Sequence, residues 1–188
     1  MNVILIGDSI RMAYEPVVAE LLDGRAEVWG PEVNGGDSRN VLANLDEWVI
    51  GRHADVVHVN CGLHDLRDLP DAGFQVPLGD YAANVTAIME RLMTEWSGEI
   101  IWATTTPVIE EVTASPGRDF ARRQADVDAY NSVALEVMTE RGIRVNDLHA
   151  VVSEAGVSKC VCSDGVHMQE YGNRLLAQAV AAAVMASA

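Results

Sequence analysis

The stretch Val3-Ile4-Leu5-Ile6-Gly7-Asp8-Ser9 decides how the rest of the chain is read. Four apolar residues in succession, with no polar face between them, predict a strand covered on both sides, as strands are inside a parallel sheet. The run stops at Gly7-Asp8-Ser9, and helical spacing takes over after it. A serine at the carboxyl end of a buried first strand lies where open α/β sheets place their ligand chemistry. Serine also suits the N-cap of a helix, so this stretch alone leaves both roles open for Ser9.

The two patterns then alternate. Pro16 predicts the first turn of a helix through Val17, Val18, Leu21 and Leu22, stopped near Gly24. Ala26 to Trp29 reads as a short strand, and residues 31–38 form a loop dense in turn residues. Val41, Leu42, Leu45, Trp48 and Val49 repeat with a helical period. Val56 to Cys61 is the next buried strand, ending at Gly62-Leu63-His64-Asp65. Residues 67–79 read as a loop, with Asp80 capping a helix that carries Tyr81, Val85, Ile88, Leu92 and Trp96. Ile100 to Thr104 is a strand, followed by an irregular stretch and a long helix from about Asp119 to Arg141, ended by Gly142. Arg144 to Asn146 is a short strand, Ala150 to Glu154 a short helix, residues 156–166 a loop, and the chain closes on a helix through Tyr171, Leu175 and Val180. Strands alternating with helices mean βαβ units. The expected fold is a three-layer α/β/α sandwich with a parallel sheet of about five strands, in one domain spanning 1–188.

The 188 residues are 49% hydrophobic and 22% charged, the balance of an ordered globular chain. Thirteen basic against 28 acidic residues give a formal charge of −15. That field repels phosphate backbones and anionic lipid, so nucleic acid and membrane surfaces are excluded as expected partners. The amino terminus lacks a basic leader region and reads as a strand rather than a signal peptide. The apolar stretch Leu175 to Ala188 is too short to span a bilayer. Cys61, Cys160 and Cys162 are an odd number in a chain without an export signal, which favours reduced thiols and a cytoplasmic location.

In such a sheet the loops after the strands converge on one edge. Those loops hold Ser9, Gly36, His64 and the turn Asp164-Gly165-Val166-His167. A serine hydroxyl is a weak nucleophile until an imidazole accepts its proton and a carboxylate fixes the imidazole tautomer. Asp164 and His167 are three residues apart, so one turn brings carboxylate and ring within reach. Backbone N–H groups at Ser9 and Gly36 would face a developing oxyanion, glycine permitting close approach. Each feature alone is weak, and an isolated D-x-x-H is more often a surface turn than a catalytic pair.

Their order carries more. Gly7-Asp8-Ser9 after strand one, Gly36 in the second loop, Gly62-Leu63-His64-Asp65 after a third strand and Asp164-x-x-His167 before the last helix resemble the four blocks of the SGNH, or GDSL-type, hydrolases. The resemblance covers nearly the whole chain and implies that family's flavodoxin-like fold. It implies Ser9 as nucleophile, with Asp164 and His167 as carboxylate and base. It also implies oxyanion donors at the Ser9 N–H, the Gly36 N–H and a block-three asparagine. The family reads G-x-N-D at that block, whereas this chain has His64 in the asparagine position, and Asn60 does not occupy it. A neutral imidazole keeps one N–H donor, so His64 is the third candidate.

The G-L-H-D variant, with the strand end Trp102 to Pro107, resembles bacterial esterases of acylated carbohydrates. The implied activity is a serine esterase of small acyl esters, deacetylating a small-molecule or oligosaccharide substrate, with no cofactor and no metal. A thioesterase or lysophospholipase on the same site is the alternative enzyme. A non-catalytic binding module that lost activity through His64 is the alternative of another class. Cys160-x-Cys162 near His167 lacks the further ligands that a zinc site needs. Cys61, His53, His58 and His149 read as structural, Arg11 and Arg39 as solvated surface positions, and Trp48, Trp96 and Trp102 as core.

Overall fold

Five parallel strands form the centre of the molecule. They are β1 (Asn2–Ile6), β2 (Glu27–Trp29), β3 (Val56–Val59), β6 (Glu99–Ala103) and β7 (Arg144–Asn146). Between β3 and β6 lies a short antiparallel pair outside this sheet, β4 (Asp68–Leu69) and β5 (Gly73–Phe74). Counting sheet strands only, the order is 2-1-3-4-5, the flavodoxin-like doubly wound arrangement. The computed structural model describes residues 1–187, and Ala188 at the end of the apolar carboxyl-terminal stretch lies outside them.

The helices are α1 (Ser9–Leu21), α2 (Ser38–Ala43), α3 (Leu78–Glu95), α4 (Glu110–Thr113), α5 (Gln124–Arg141), α6 (Leu148–Ala155), α7 (Val157–Cys160) and α8 (Glu170–Met185). α1 and α6 pack on α8, while α3 packs on α2 and α5, so the sheet is covered by two helical layers. Val3 to Ile6, Val56, Val57, Val59 and Ile101 to Ala103 are buried, as strands covered on both faces must be. Each fully buried aliphatic side chain contributes about 1.5–3 kcal/mol of transfer free energy. The three-layer reading with about five parallel strands agrees with this architecture.

Several boundaries differ from the sequence reading, each for a local reason. α1 begins at Ser9, and Pro16 lies inside it on an exposed face rather than in its first turn. Asp8 accepts a hydrogen bond from Ile10 N–H at 2.9 Å and starts the helix directly after β1. α3 begins at Leu78 behind Pro77, and Asp80 sits in its first turn, near the positive end of the helix dipole, instead of capping it. The helical run after Val41 breaks into α2 and a π-helical turn, Asp46–Ile50. α5 starts at Gln124 rather than Asp119 because residues 119–123 are drawn out to pair with β4: Asp68 and Ala121 exchange two backbone hydrogen bonds of 2.9 Å. Arg11 is buried rather than solvated, ion-paired with Glu15 and donating to Pro31 O at 2.8 Å and Val33 O at 3.1 Å.

His58 is a polar residue in the middle of β3, wholly buried, and its Nε2 accepts from Asn146 Nδ2 at 3.1 Å. Burial, assisted by the charge of Arg144, pushes its pKa from 6.5 down to about 4. Between those values the unfolded chain holds the proton and the folded chain refuses it, so the stability contributed by this residue falls as pH drops through the window. The His58 imidazole resonances are therefore expected to stay at neutral-ring positions down to about pH 5, in line with the lowered value. A titration midpoint near that of free histidine, read by NMR, would contradict the burial argument.

Candidate active site

The sheet order reverses between β1 and β3, and a crevice opens at the carboxyl ends of strands flanking such a point. The loop after β1 brings Ser9 there, and the loop after β3 brings His64. Because Asp8 already caps α1, the Ser9 side chain is free of that duty. Its hydroxyl instead meets His167 Nε2 at 2.9 Å. Ser9 N–H, at the first helical position, has no carbonyl partner within its own helix.

His167 and Asp164 arrive on the turn that precedes α8. One carboxylate oxygen of Asp164 accepts from Val166 N–H at 2.9 Å and His167 N–H at 3.0 Å, which winds the turn. The other oxygen accepts from His167 Nδ1 at 2.7 Å. Gly165, at φ +82°, allows this winding, and a Cβ there would come within 3.0 Å of Ile109 O. Burial pushes the Asp164 carboxyl up, but the hydrogen bonds from Val166 and His167 outweigh it and hold the group below the ordinary carboxylate range. An ionised Asp164 fixes the proton on Nδ1, leaving Nε2 to accept from Ser9. Cys162 N–H donates to His167 O at 2.7 Å and Gln169 N–H donates to Cys160 O at 2.7 Å, so the backbone at the two cysteines braces this turn. Among the described residues no cluster of His, Cys, Asp and Glu could hold a metal ion.

The second loop is pinned against the first. Gly35 N–H donates to Gly7 O at 3.0 Å, and a Cβ on Gly35 would lie 2.6 Å from that oxygen. The same loop is tied to the third. Ser38 N–H donates to both oxygens of buried Asp65, at 2.9 and 3.1 Å. Gly36, at φ +63°, donates its N–H to Asn34 Oδ1 at 2.8 Å. The expected oxyanion donor is thus engaged by a side chain that the sequence reading passed over. Asn34 itself lines the cavity with Ser9.

That cavity has a volume of about 370 Å³ and is lined by Ser9, His64, Asp164 and His167 together with Arg67, Arg118, Phe120 and Arg122. The four side chains at Ser9, His64, Asp164 and His167, expected from the motifs, therefore do meet in one place. The arginines and Phe120 were not singled out. Arg118, Phe120 and Arg122 carry a sequence signal in Arg118-Asp119-Phe120-Ala121-Arg122-Arg123, a basic run in an acidic chain, whereas Arg67 carries none. His64 is half-buried, and burial pushes its pKa down to about 4, the charge of Asp8 opposing and those of Arg67 and Arg122 assisting. Arg67 Nη2 lies 3.4 Å from His64 Nε2. Arginine can only donate, so a neutral His64 accepts at Nε2 and carries its one proton on Nδ1.

A doubly wound sheet that presents serine, imidazole and carboxylate in a hydrogen-bonded row at its carboxyl edge is a frame suited to acyl transfer. The comparisons with known proteins give the family. The chain belongs to the GDSL-like lipase/acylhydrolase family, whose model matches residues 5–175. It is a hydrolase of carboxylic ester bonds. Its fold is similar to that of an acetyl xylan esterase with 20% identity, TM-score 0.80, over 98% of this chain and 100% of the other. A lipase/acylhydrolase from Enterococcus faecalis has 18% identity and TM-score 0.80 over 98% and 95% of the two chains. An acetylxylan esterase from Geobacillus stearothermophilus has 22% identity and TM-score 0.76 over 95% and 91%. No curated protein gives a significant sequence match.

Because burial keeps His64 neutral down to about pH 4, its ionisation lies below the range in which a histidine base titrates. His64→Asn is expected to leave the midpoint of the acid limb of the pH–rate profile unmoved above about pH 5. A shift of more than about half a pH unit would assign that limb to His64 instead.

Proposed function

We propose that this chain is a serine esterase that removes short acyl groups, acetyl foremost, from acylated carbohydrate. The observation that carries the reading is the row Ser9 Oγ to His167 Nε2 at 2.9 Å and His167 Nδ1 to Asp164 Oδ2 at 2.7 Å. Ser9 attacks the ester carbonyl as its proton passes to His167 Nε2, and Asp164 stabilises the imidazolium that forms. The tetrahedral oxygen takes hydrogen bonds from the Ser9 N–H and from His64 Nδ1–H. The Gly36 N–H joins them once it releases Asn34 Oδ1. The imidazolium then gives its proton to the departing alcohol oxygen. Water, deprotonated by the same ring, releases the acyl group and restores Ser9. No step calls for a cofactor.

Two features support a short acyl group on a polar alcohol. The cavity wall offers only Leu63, Phe120 and Val166 as sizeable apolar side chains, and its other lining residues are polar or charged. Its volume of about 370 Å³ lies at the small end of ligand sites and suits an acetyl group with a sugar unit better than a lipid tail. Two proteins of similar fold are acetyl xylan esterases, which agrees with a carbohydrate ester. The charged and polar residues in the cavity wall favour this reading over a lysophospholipase, whose long acyl chain is apolar. A non-catalytic module leaves the hydrogen bond between Ser9 and His167 without a purpose.

Ser9→Ala is expected to lower kcat on 4-nitrophenyl acetate by about 10⁴-fold or more with the fold intact, and to abolish labelling by a fluorophosphonate. Asp164→Asn is expected to lose a comparable factor of about 10⁴ through the wrong tautomer of His167, with KM little changed. Retention of more than about a tenth of the rate by purified Ser9→Ala protein, with its circular dichroism unchanged, would remove Ser9 as nucleophile.

A further inference from the structure

The chain carries a formal charge of −15, yet the cavity around Ser9 is lined by three arginines, Arg67, Arg118 and Arg122. Elsewhere Arg11, Arg39, Arg91, Arg123, Arg141, Arg144 and Arg174 hold carboxylate partners, and Arg52 stacks on Trp29 and donates to Glu47 O. Among the described residues none lies within ion-pair distance of Arg67, Arg118 or Arg122, and the one carboxylate in the cavity wall, Asp164, is engaged by His167. Such charges are expensive to bring together without an anion between them, and an unpaired buried guanidinium more so.

The cluster is built rather than incidental. Arg122 is 6% exposed, and its Nε–H donates to Leu63 O at 2.7 Å. Its guanidinium carbon lies 4.8 Å from the centre of the Phe120 ring, and that of Arg67 lies 4.7 Å from the same ring. Two cations thus share one aromatic platform. The platform is held by the backbone exchange between Ala121 and Asp68, by Thr113 Oγ1–H donating to Arg122 O at 2.6 Å, and by the Arg123–Asp68 ion pair at 2.6 Å. Arg67 Nε is buried with no partner. Guanidinium forks recognise carboxylate and phosphate oxygens by paired, charge-assisted hydrogen bonds.

We propose that the ester cleaved at Ser9 carries a second, anionic group, a carboxylate or a phosphate, which Arg67, Arg118 and Arg122 seat beside the scissile bond. On the reading of the site as a carbohydrate esterase, on which this rests, the substrate is an acylated acidic sugar: a uronic acid or a sugar phosphate. The overall negative field repels such a substrate at long range, and the cluster, with Arg122 buried, Arg67 half-buried and Arg118 exposed at its mouth, selects it at contact.

The test compares monoacetates of methyl glucoside, methyl glucuronoside and methyl glucoside 6-phosphate on the intact protein, with 4-nitrophenyl acetate as reference. One of the two anionic esters is expected to exceed the neutral one in kcat/KM by about tenfold or more, through KM, and its identity distinguishes carboxylate from phosphate. That advantage should shrink with added salt, which screens partly exposed charges over about 8–10 Å. Arg67→Gln and Arg118→Gln should each cut the anionic-to-neutral ratio by about five- to tenfold, and they serve as the test if Arg122→Gln fails to fold. Ser9→Ala protein should bind free glucuronate or inorganic phosphate in calorimetry, a readout independent of hydrolysis. A ratio near one, with the arginine variants slowing neutral and anionic esters alike, overturns the proposal and assigns the cluster to the oxyanion, leaving the esterase reading intact. Anion binding by Ser9→Ala protein, with no ester hydrolysed by the unaltered chain, supports the anion seat and overturns the esterase reading.

Discussion

The hydrogen bond from Ile10 N–H to the buried carboxylate of Asp8 is the contact on which the site depends. It starts α1 one residue after the cap, without a linking loop, so the serine that follows stands at the mouth of the sheet on a fixed helical backbone. Had Ser9 served as the cap, its hydroxyl would be spent on a backbone N–H. With Asp8 in that role, the Ser9 hydroxyl points to His167, and its N–H, an orphan of the first turn, remains available. Both consequences follow from one side chain.

Rigidity at the carboxyl edge comes from cross-links between loops. Gly35 N–H to Gly7 O joins the first and second, and Ser38 to Asp65 joins the second and third. Arg122 to Leu63 O joins the third to the drawn-out segment before α5. Burial raises the Asp65 pKa to about 6, while its bonds from Ser38 favour the charged form. The carboxylate is worth keeping there because it orders two loops at once. The charge pattern follows the same economy of place: acidic groups cover the outside of the molecule, and three arginines without carboxylate partners gather where a substrate would enter.

The apolar runs in β1 and β3, the helical period of α3 and α8 and the Gly142 stop of α5 were legible residue by residue, because each is set by neighbours a few positions away. Helix starts were less so. Asp80 looked like a cap and Pro16 like a first turn, yet α3 opens behind Pro77 and α1 at Ser9. Competing polar residues near a terminus are locally equivalent, and packing chooses between them. Arg11 looked solvated by its type, but the loop carrying Pro31 and Val33 covers it and uses its donors.

The sequence by itself determined a doubly wound parallel sheet and a family, because strand periodicity, turn residues and motif order are properties of the chain read in one dimension. It also named the four side chains at Ser9, His64, Asp164 and His167 that share the cavity. Only the tertiary structure decided that Asp8 rather than Ser9 caps α1 and that Asn34 occupies the Gly36 N–H. Only it brought Arg67, Arg118 and Arg122 around Phe120 and Ser9. The reason is physical: a hydrogen bond or an unpaired charge is defined by what stands opposite it in space, and even where the partners are two residues apart, as in Asp8–Ile10 and Asn34–Gly36, the choice among neighbouring donors and acceptors is set by what packs around them.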